Sequence, residues 1–335
     1  MKSELSETSR EIGWGILATG GIASLFTRDL VAHGHRAVAV GSRSSDSARA
    51  FAGAHGIDRA HGSYEDLVAD PLVDVVYVAS PPSEHHEHSL LALAHGKHVL
   101  VEKPFTLDES QARDIADDAQ RRKLIVMEAM WTRFLPHMAY VRACIARGDL
   151  GEVTAVHAVH AQRLDVPDTH RLRNLALGGG ALLDLGVYPV SFLHEILGEP
   201  EHIAGRAAMT STGVDASVAT VSLHPGGALG TTMSSMVSRG RNSASIIGLD
   251  ARLEIRETWY APTSVRLVDA SGATRDSFDS LVSGRGMQFE AAEMERLING
   301  GDRRTSPMPI AESIAVMRTL DRVRASIGLE YPVKG

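Results

Sequence analysis

Cysteine is all but missing: Cys144 is the only one in 335 residues. No intrachain disulfide can form, so stability must come from packing, which suits a reducing cytoplasm. Excess positive charge is missing too. The net charge is −7, and a nucleic-acid face wants clustered surplus Lys and Arg, so no nucleic-acid partner is expected. No uninterrupted apolar run approaches the ~20 residues that cross a bilayer, so no membrane partner is expected. Met1 to Arg10 has no apolar core of a secretory signal and is expected to be a short tail without structure. There is no internal repeat and no low-complexity stretch. What remains is an ordinary composition, 44 % apolar and 22 % charged, in a chain long enough for two domains with separate cores. A soluble, cytoplasmic protein is expected.

From Gly13 to about Met130 strands and helices alternate, the pattern of a parallel doubly wound sheet. Strands are expected at Gly13–Ala18, Ala37–Ser42, Val73–Ala79, His98–Val101 and Leu124–Glu128, short and apolar as in strands covered on both faces. A helix is expected over Leu107–Arg121, with Ala112, Ile115, Ala116 and Ala119 on one face and a capping box of Thr106 and Glu109 at its start. Past Pro136 the texture changes. A helix (Pro136–Ala146) and a strand (Val153–Ala161) precede a glycine-rich motif. Strand-like segments then follow one another at His202–Thr210, Ser217–Leu223, Ala228–Ser238, Ser243–Gly248 and Arg252–Arg256, which implies a mostly antiparallel sheet. Helices over Met287–Ile298 and Ile310–Ser326 close the chain. The boundary falls within Trp131–Pro136, giving domains 11–132 and 133–335.

Trp14-Gly15-Ile16-Leu17-Ala18-Thr19-Gly20-Gly21-Ile22-Ala23 reads as a strand turning into a helix. Such a loop lets a pyrophosphate approach the backbone at a helix N-terminus. Against G-x-G-x-x-G/A the chain offers Ala18, Gly20 and Ala23, so the first glycine is lacking; an ordinary strand–helix turn carries similar residues. Thr19, Gly20, Gly21 and Ile22 are the candidate phosphate contacts. At the end of the second strand, an NAD site usually places a carboxylate on the ribose. Here stand Gly41-Ser42-Arg43-Ser44. Ser42 and Arg43 suit the extra phosphate of NADP, which is placed ahead of NAD.

Val101-Glu102-Lys103-Pro104 ends a strand, because Pro104 pushes Lys103 toward an extended backbone. Ligands of open parallel sheets bind at that end of the strands. Further on comes Gly178-Gly179-Gly180-Ala181-Leu182-Leu183-Asp184-Leu185-Gly186-Val187-Tyr188. Asp184 and Tyr188 share a helix face, and Pro189 makes that helix start irregularly or kink. A tyrosine with a pKa of about 10 needs a nearby cation to act as a base, and Lys103 can supply it. Lys103, Asp184 and Tyr188 are the catalytic candidates. With the nucleotide loop they imply a nicotinamide-dependent oxidoreductase. Trp131 and Arg133, in Trp131-Thr132-Arg133-Phe134 at the boundary, are candidate substrate contacts, or else interdomain packing. His157, His160, Arg163 and Arg171 are further pocket candidates, Arg171 being taken as a substrate contact. Glu84-His85-His86-Glu87-His88 has metal-like spacing but no third set of ligands, and no metal is expected.

Together these stretches resemble the glucose–fructose oxidoreductase, inositol dehydrogenase and rhizopine-catabolism family, Gfo/Idh/MocA, over nearly the whole chain. Ser63-Tyr64-Glu65-Asp66-Leu67, Ser80-Pro81-Pro82 with His85, and Gly96-Lys97-His98-Val99-Leu100-Val101-Glu102-Lys103-Pro104 resemble its cofactor-domain blocks. Met127-Glu128-Ala129-Met130-Trp131-Thr132-Arg133-Phe134 and the Gly178–Tyr188 motif resemble most the dihydrodiol dehydrogenase and NADP-dependent xylose dehydrogenase branch, which carries tyrosine where many members carry histidine. The resemblance implies a Rossmann domain followed by an α+β domain with a large, open-faced, mostly antiparallel sheet, through which subunits pair as a homodimer or homotetramer. It implies cofactor contacts from Ser80, Pro81, His85, Glu102 and Lys103, and hydride transfer between NAD(P) and a sugar, polyol or diol hydroxyl. It also implies that the Lys103–Pro104 peptide is often cis. Two other activities fit the same motifs: a cofactor-retaining glycosidase-type enzyme and a non-catalytic NADP-binding sensor.

Overall fold

The computed structural model describes residues 10 to 332; all of the expected tail except Arg10 lies outside them. The first half of the chain builds β1 (Gly13–Leu17), α1 (Gly21–Ala32), β2 (Arg36–Gly41), α2 (Ser45–His55), β3 (Arg59–His61), α3 (Tyr64–Ala69), β4 (Val75–Val78), α4 (His85–Ala94), β5 (His98–Glu102), α5 (Glu109–Arg122) and β6 (Val126–Ala129). The strands form one parallel sheet in the order β3-β2-β1-β4-β5-β6. β1 and β4 are buried at every position, which is why they read as continuous apolar runs.

Three helices start on a side-chain cap. Ser44, Ser63 and Asp108 accept from Ser47, Asp66 and Gln111 N–H. The capping box expected from Thr106 and Glu109 is not the one used. Asp108 caps α5, Thr106 donates to the Asp108 carbonyl at 2.7 Å, and Glu109 binds Arg113 and Arg318 instead. A carboxylate two residues nearer the free amides displaces the hydroxyl. α1 has no such cap: Gly20 precedes it and no acidic residue lies in its first turn.

The second half adds α6 (Pro136–Ala146), β7 (Val153–Ala161), α7 (Val187–Leu197), β8 (His202–Met209), β9 (Asp215–Leu223), β10 (Leu229–Ser235), β11 (Ala244–Gly248), β12 (Ala251–Ile255), β13 (Val265–Asp269), β14 (Thr274–Phe278), α8 (Gln288–Ile298) and α9 (Ile310–Ile327). Its sheet has eight strands in the order β14-β13-β12-β11-β7-β10-β9-β8. β7 and β10 run parallel and every other pair is antiparallel. β3, β13 and β14 have no counterpart in the sequence reading. β3 is three residues long, and β14 is an almost wholly exposed edge strand, so neither carries apolar alternation. In β13 the alternation of Val265 and Leu267 about exposed Arg266 is too brief to stand out.

The two sheets share one apolar core, and the end of the chain returns to the first half. Glu295 on α8 accepts from Trp14 Nε1 and pairs with His35, both at 2.8 Å. Asp321 on α9 accepts from the Glu109 amide at 2.9 Å. One helical stretch among the described residues, Leu175–Leu197, is long and apolar enough to cross a bilayer, but 78 % of its most apolar window is buried in this core.

Candidate active site

A cleft of about 620 Å³ runs along the C-terminal ends of β1, β2, β4 and β5 and is also lined by residues of the second half of the chain. At one end Thr19, Gly20, Gly21 and Ile22 line it. Ala18 takes the left-handed backbone conformation, φ +85°, so the turn that usually wants glycine forms with a Cβ in place. A Cβ on Gly20 or Gly21 would meet nothing within 4 Å. Packing therefore does not require these glycines; they keep the uncapped amides at the start of α1 open to a ligand. Uncapped amides with the positive end of the helix dipole make an anion site, and the diphosphate of NAD(P) fits it. Ser42 and Arg43 follow β2, with the Tyr64 hydroxyl bonded to Arg43. The only carboxylates lining the cleft, among the described residues, are Glu102 and Asp184. None stands at the end of β2, where NAD sites hold the ribose.

Ser80, Pro81 and His85 lie along the middle. His85 is buried, with ring nitrogens 2.9 Å from the Ser80 and Pro104 carbonyls. Burial holds its pKa down at about 4 in spite of those carbonyls. The neutral imidazole has one N–H for the two carbonyls and packs between the loop after β4 and the loop after β5.

At the far end Glu102 ends β5 with its carboxylate accepting from the Tyr77 hydroxyl and from Lys103 N–H at 3.1 Å. The Lys103–Pro104 peptide is cis. Lys103 Nζ donates to the Asp184 carbonyl at 2.8 Å and lies 4.8 Å from the centroid of the Tyr188 ring. Asp184 sits in a turn of π-helix, Leu182–Gly186, that runs into α7; this is the irregular start expected before Pro189. The turn is anchored from below. Wholly buried Asp215 accepts from Leu182 N–H at 2.6 Å. A Cβ on Gly180 would come within 2.1 Å of that same carboxylate, and the residue has φ +120°, so only glycine lets the helix approach Asp215. Asp215 carries no local sequence signal and sequence reasoning missed it.

Charge is arranged unevenly here. Burial pushes the Tyr188 phenol above its ordinary pKa by more than Lys103 pulls it down, so the ring is a neutral phenol. Burial alone would lower Lys103, but Tyr188, once ionised, and the Asp184 and Glu102 carboxylates outweigh it and hold the ammonium above its usual range. Burial would raise Asp184, yet Lys103 and Arg171 keep it below the usual carboxylate range. Arg171 reaches it at 3.2 Å. His160 is neutral, held near 3 by burial and then by Lys103. It stacks on Tyr260 at 3.8 Å and sets its ring edge-on to Tyr188 at 4.9 Å.

Two substrate candidates are placed elsewhere. Trp131 is buried and lies behind Tyr188, its Nε1 donating to the phenol oxygen at 2.8 Å; it acts on the cleft through the tyrosine. Arg133 does not reach the cleft. It is buried and donates to Ser191 Oγ at 2.9 Å and to Glu312 at 3.0 Å, a packing role that a buried arginine adopts once carboxylates are at hand. His157 faces out on the second sheet beside Thr231, and Arg163 pairs with Asp165. Gln162, Tyr260 and Arg285 also line the cleft and were missed, since each sits in a stretch without a motif.

Two family models match successive stretches of the chain. A model described as "Oxidoreductase family, NAD-binding Rossmann fold" matches residues 12–130, and one described as "GFO/IDH/MocA C-terminal domain" matches residues 138–255. The chain is 33 % identical to trans-1,2-dihydrobenzene-1,2-diol dehydrogenase of Bos taurus, covering 95 % of this chain and 98 % of that one. It is 34 % identical to D-xylose 1-dehydrogenase (NADP(+)) of Hypocrea jecorina, covering 95 % and 93 %. Among solved structures, KijD10, a 3-ketoreductase from Actinomadura kijaniata in complex with NADP and TDP-benzene, superposes with a TM-score of 0.82 at 24 % identity, covering 95 % and 98 %; at that identity the likeness is one of fold.

Proposed function

Because the chain belongs to the Gfo/Idh/MocA family of NAD-binding oxidoreductases, we propose that it is an NADP-dependent dehydrogenase. Its substrate is a secondary alcohol or hemiacetal of a sugar, polyol or cyclic diol. The observation that carries this reading is the meeting of Lys103, Asp184 and Tyr188 in the same cleft as the uncapped start of α1. The relatives named above act on a diol and on xylose, which supports the substrate class.

The cofactor, when bound, supplies or accepts the hydride. The chain does the rest. Amides at Gly20, Gly21 and Ile22 hold the diphosphate, and Ser42 and Arg43 hold the 2′-phosphate. Tyr188 gives its proton to the substrate oxygen in reduction and takes it back in oxidation. Being a neutral phenol, it is poised as the donor, and it needs the cation Lys103 beside it to serve as the base. Asp184, fixed by Lys103 and Arg171, accepts from a neighbouring substrate hydroxyl. Trp131 holds the phenol oxygen in place.

Residues 11–132 carry the cofactor, and residues 133–335 carry substrate selection and subunit pairing. Val221, Leu229 and Met233 are exposed side by side on the outer face of β9 and β10, and a second copy covering this face would pair the chains. The single buried Cys144 accords with a cytoplasmic location.

The test is nicotinamide absorbance with purified protein and NADP⁺ or NAD⁺ against aldoses, inositols, polyols and cyclic trans-diols. Reduction of NADP⁺ with one of these classes is the expected result. Silence across the panel despite measurable NADP binding would overturn the dehydrogenase reading.

A further inference from the structure

Arg285 lines the catalytic end of the cleft, and among the described residues its guanidinium is in no ion pair, although Glu102 is near enough to feel its charge. It stands in the loop between β14 and α8, and backbone holds it there. Asp29 on α1 accepts from the amides of Arg285, Gly286 and Met287 at 3.0, 3.1 and 3.3 Å. Gly286, with φ +84°, could not carry a Cβ without meeting Leu135 at 2.4 Å. The guanidinium carbon lies 5.0 Å from the centroid of Trp131, whose indole N–H holds Tyr188. Its Nε is buried without a partner, and no ion pair or side-chain hydrogen bond reaches the guanidinium among the described residues. Arg171 offers the contrast, being matched to Asp184.

A guanidinium laid on an indole face leaves its donors pointing outward in its own plane. Two parallel N–H groups of that fork suit the two oxygens of a carboxylate. Neither carboxylate of the cleft pairs with it directly: Asp184 serves Arg171, and Glu102 accepts from the Tyr77 hydroxyl and the Lys103 backbone amide and acts on Arg285 only at a distance. The catalytic end therefore presents a guanidinium held by its backbone, with no ion pair among the described residues and an unpartnered Nε, close to the phenol that meets the reacting oxygen.

We propose that the substrate carries a carboxylate bound by Arg285, so that the cleft selects a sugar acid over the neutral sugar of the same ring. This rests on the dehydrogenase reading above and narrows it.

The test is calorimetric titration of the protein–NADPH complex with D-glucuronate, D-galacturonate and D-gluconate, each against its neutral counterpart, and with D-glucose 6-phosphate. At least one acid binds about tenfold or more tighter than its counterpart, as a charge-assisted bidentate contact provides. Arg285→Met abolishes that preference and leaves NADPH affinity within about threefold; Arg285→Lys, which keeps the charge without the fork, restores part of it. Equal binding of acids and neutral sugars overturns the proposal, as does a preference that survives Arg285→Met. Tighter binding of the phosphate than of every acid overturns the carboxylate assignment, and NADPH affinity lost in Arg285→Met makes Arg285 a cofactor contact instead. If a neutral sugar or diol reduces NADP⁺ as efficiently as any acid, this proposal falls and the dehydrogenase reading stands. If an acid binds through Arg285 without any change in nicotinamide absorbance, the reverse holds.

Discussion

At the dinucleotide-loop end of the cleft the chain offers backbone; at the other end it offers side chains drawn from separate stretches of sequence. The first end consists of amides at the start of α1, left free because Gly20 supplies no cap. The second consists of Lys103 from the end of β5, Asp184 and Tyr188 from the π-turn and α7, and Arg285 from the loop before α8. The difference lies in tolerance. Amides do not change with the residue that bears them, so a loop with Ala18 in a left-handed conformation still forms. A side-chain site has no such slack, because each charge there is set by its neighbours: Lys103 and Arg171 hold Asp184 ionised against burial.

The largest effect is expected where charge cannot be replaced. Lys103→Met should lower kcat by about 10²–10⁴-fold, the usual worth of general acid–base help, while NADP affinity by fluorescence titration stays within about threefold. The pH profile sharpens this. Tyr188 is raised above its ordinary pKa by burial, with Lys103 opposing. In the wild type kcat/KM for oxidation should therefore climb with pH as the phenol loses its proton, and that for reduction should fall. In Lys103→Met the climb should move to higher pH, and a profile that stayed in place would remove Lys103 from the proton transfer.

Next comes the backbone end, where adding charge should do what removing a side chain cannot. Gly21→Asp has room for its Cβ and should weaken NADP binding by about tenfold or more through repulsion of the diphosphate. The same carboxylate, in the first turn of α1, should stabilise the fold by up to about 1 kcal/mol. Opposite signs in affinity and in thermal melting are the expected signature. Arg43→Ala should lower the preference for NADP over NAD in kcat/KM by about tenfold, since it removes the charged fork for the 2′-phosphate. The smallest effect is expected at Ala18→Gly. Relief of the left-handed backbone, less the entropy cost of glycine, should stabilise the protein by under about 1 kcal/mol with turnover unchanged.

The same contrast explains what could be read from the chain. The strand, loop and helix of the backbone end are contiguous, so the glycines, Ser42 and Arg43 stood out in order. Lys103, Asp184 and Tyr188 were legible because each sits in a compact motif, and Pro189 announced the irregular helix above them. Arg285, Tyr260 and Gln162 were not, since only tertiary packing brings them to the cleft. Arg133 misled for a related reason: position at the boundary places a residue near a cleft, but buried partners such as Ser191 and Glu312 decide where the side chain goes. The strands of the second sheet showed where an apolar face alternates, and disappeared at the exposed edge formed by β14.

The three amides gathered by Asp29 have a consequence for anyone who would recombine this protein. The carboxylate sits on α1, near the start of the chain, and the loop it organises lies more than 250 residues further on, between β14 and α8. A chimera joined near residue 132 that imported a foreign second half would present α1 to a loop it was never matched with. The second half of the chain is therefore not a cartridge that can be exchanged by itself, and any graft of the loop that carries Arg285 has to bring its own residue at position 29.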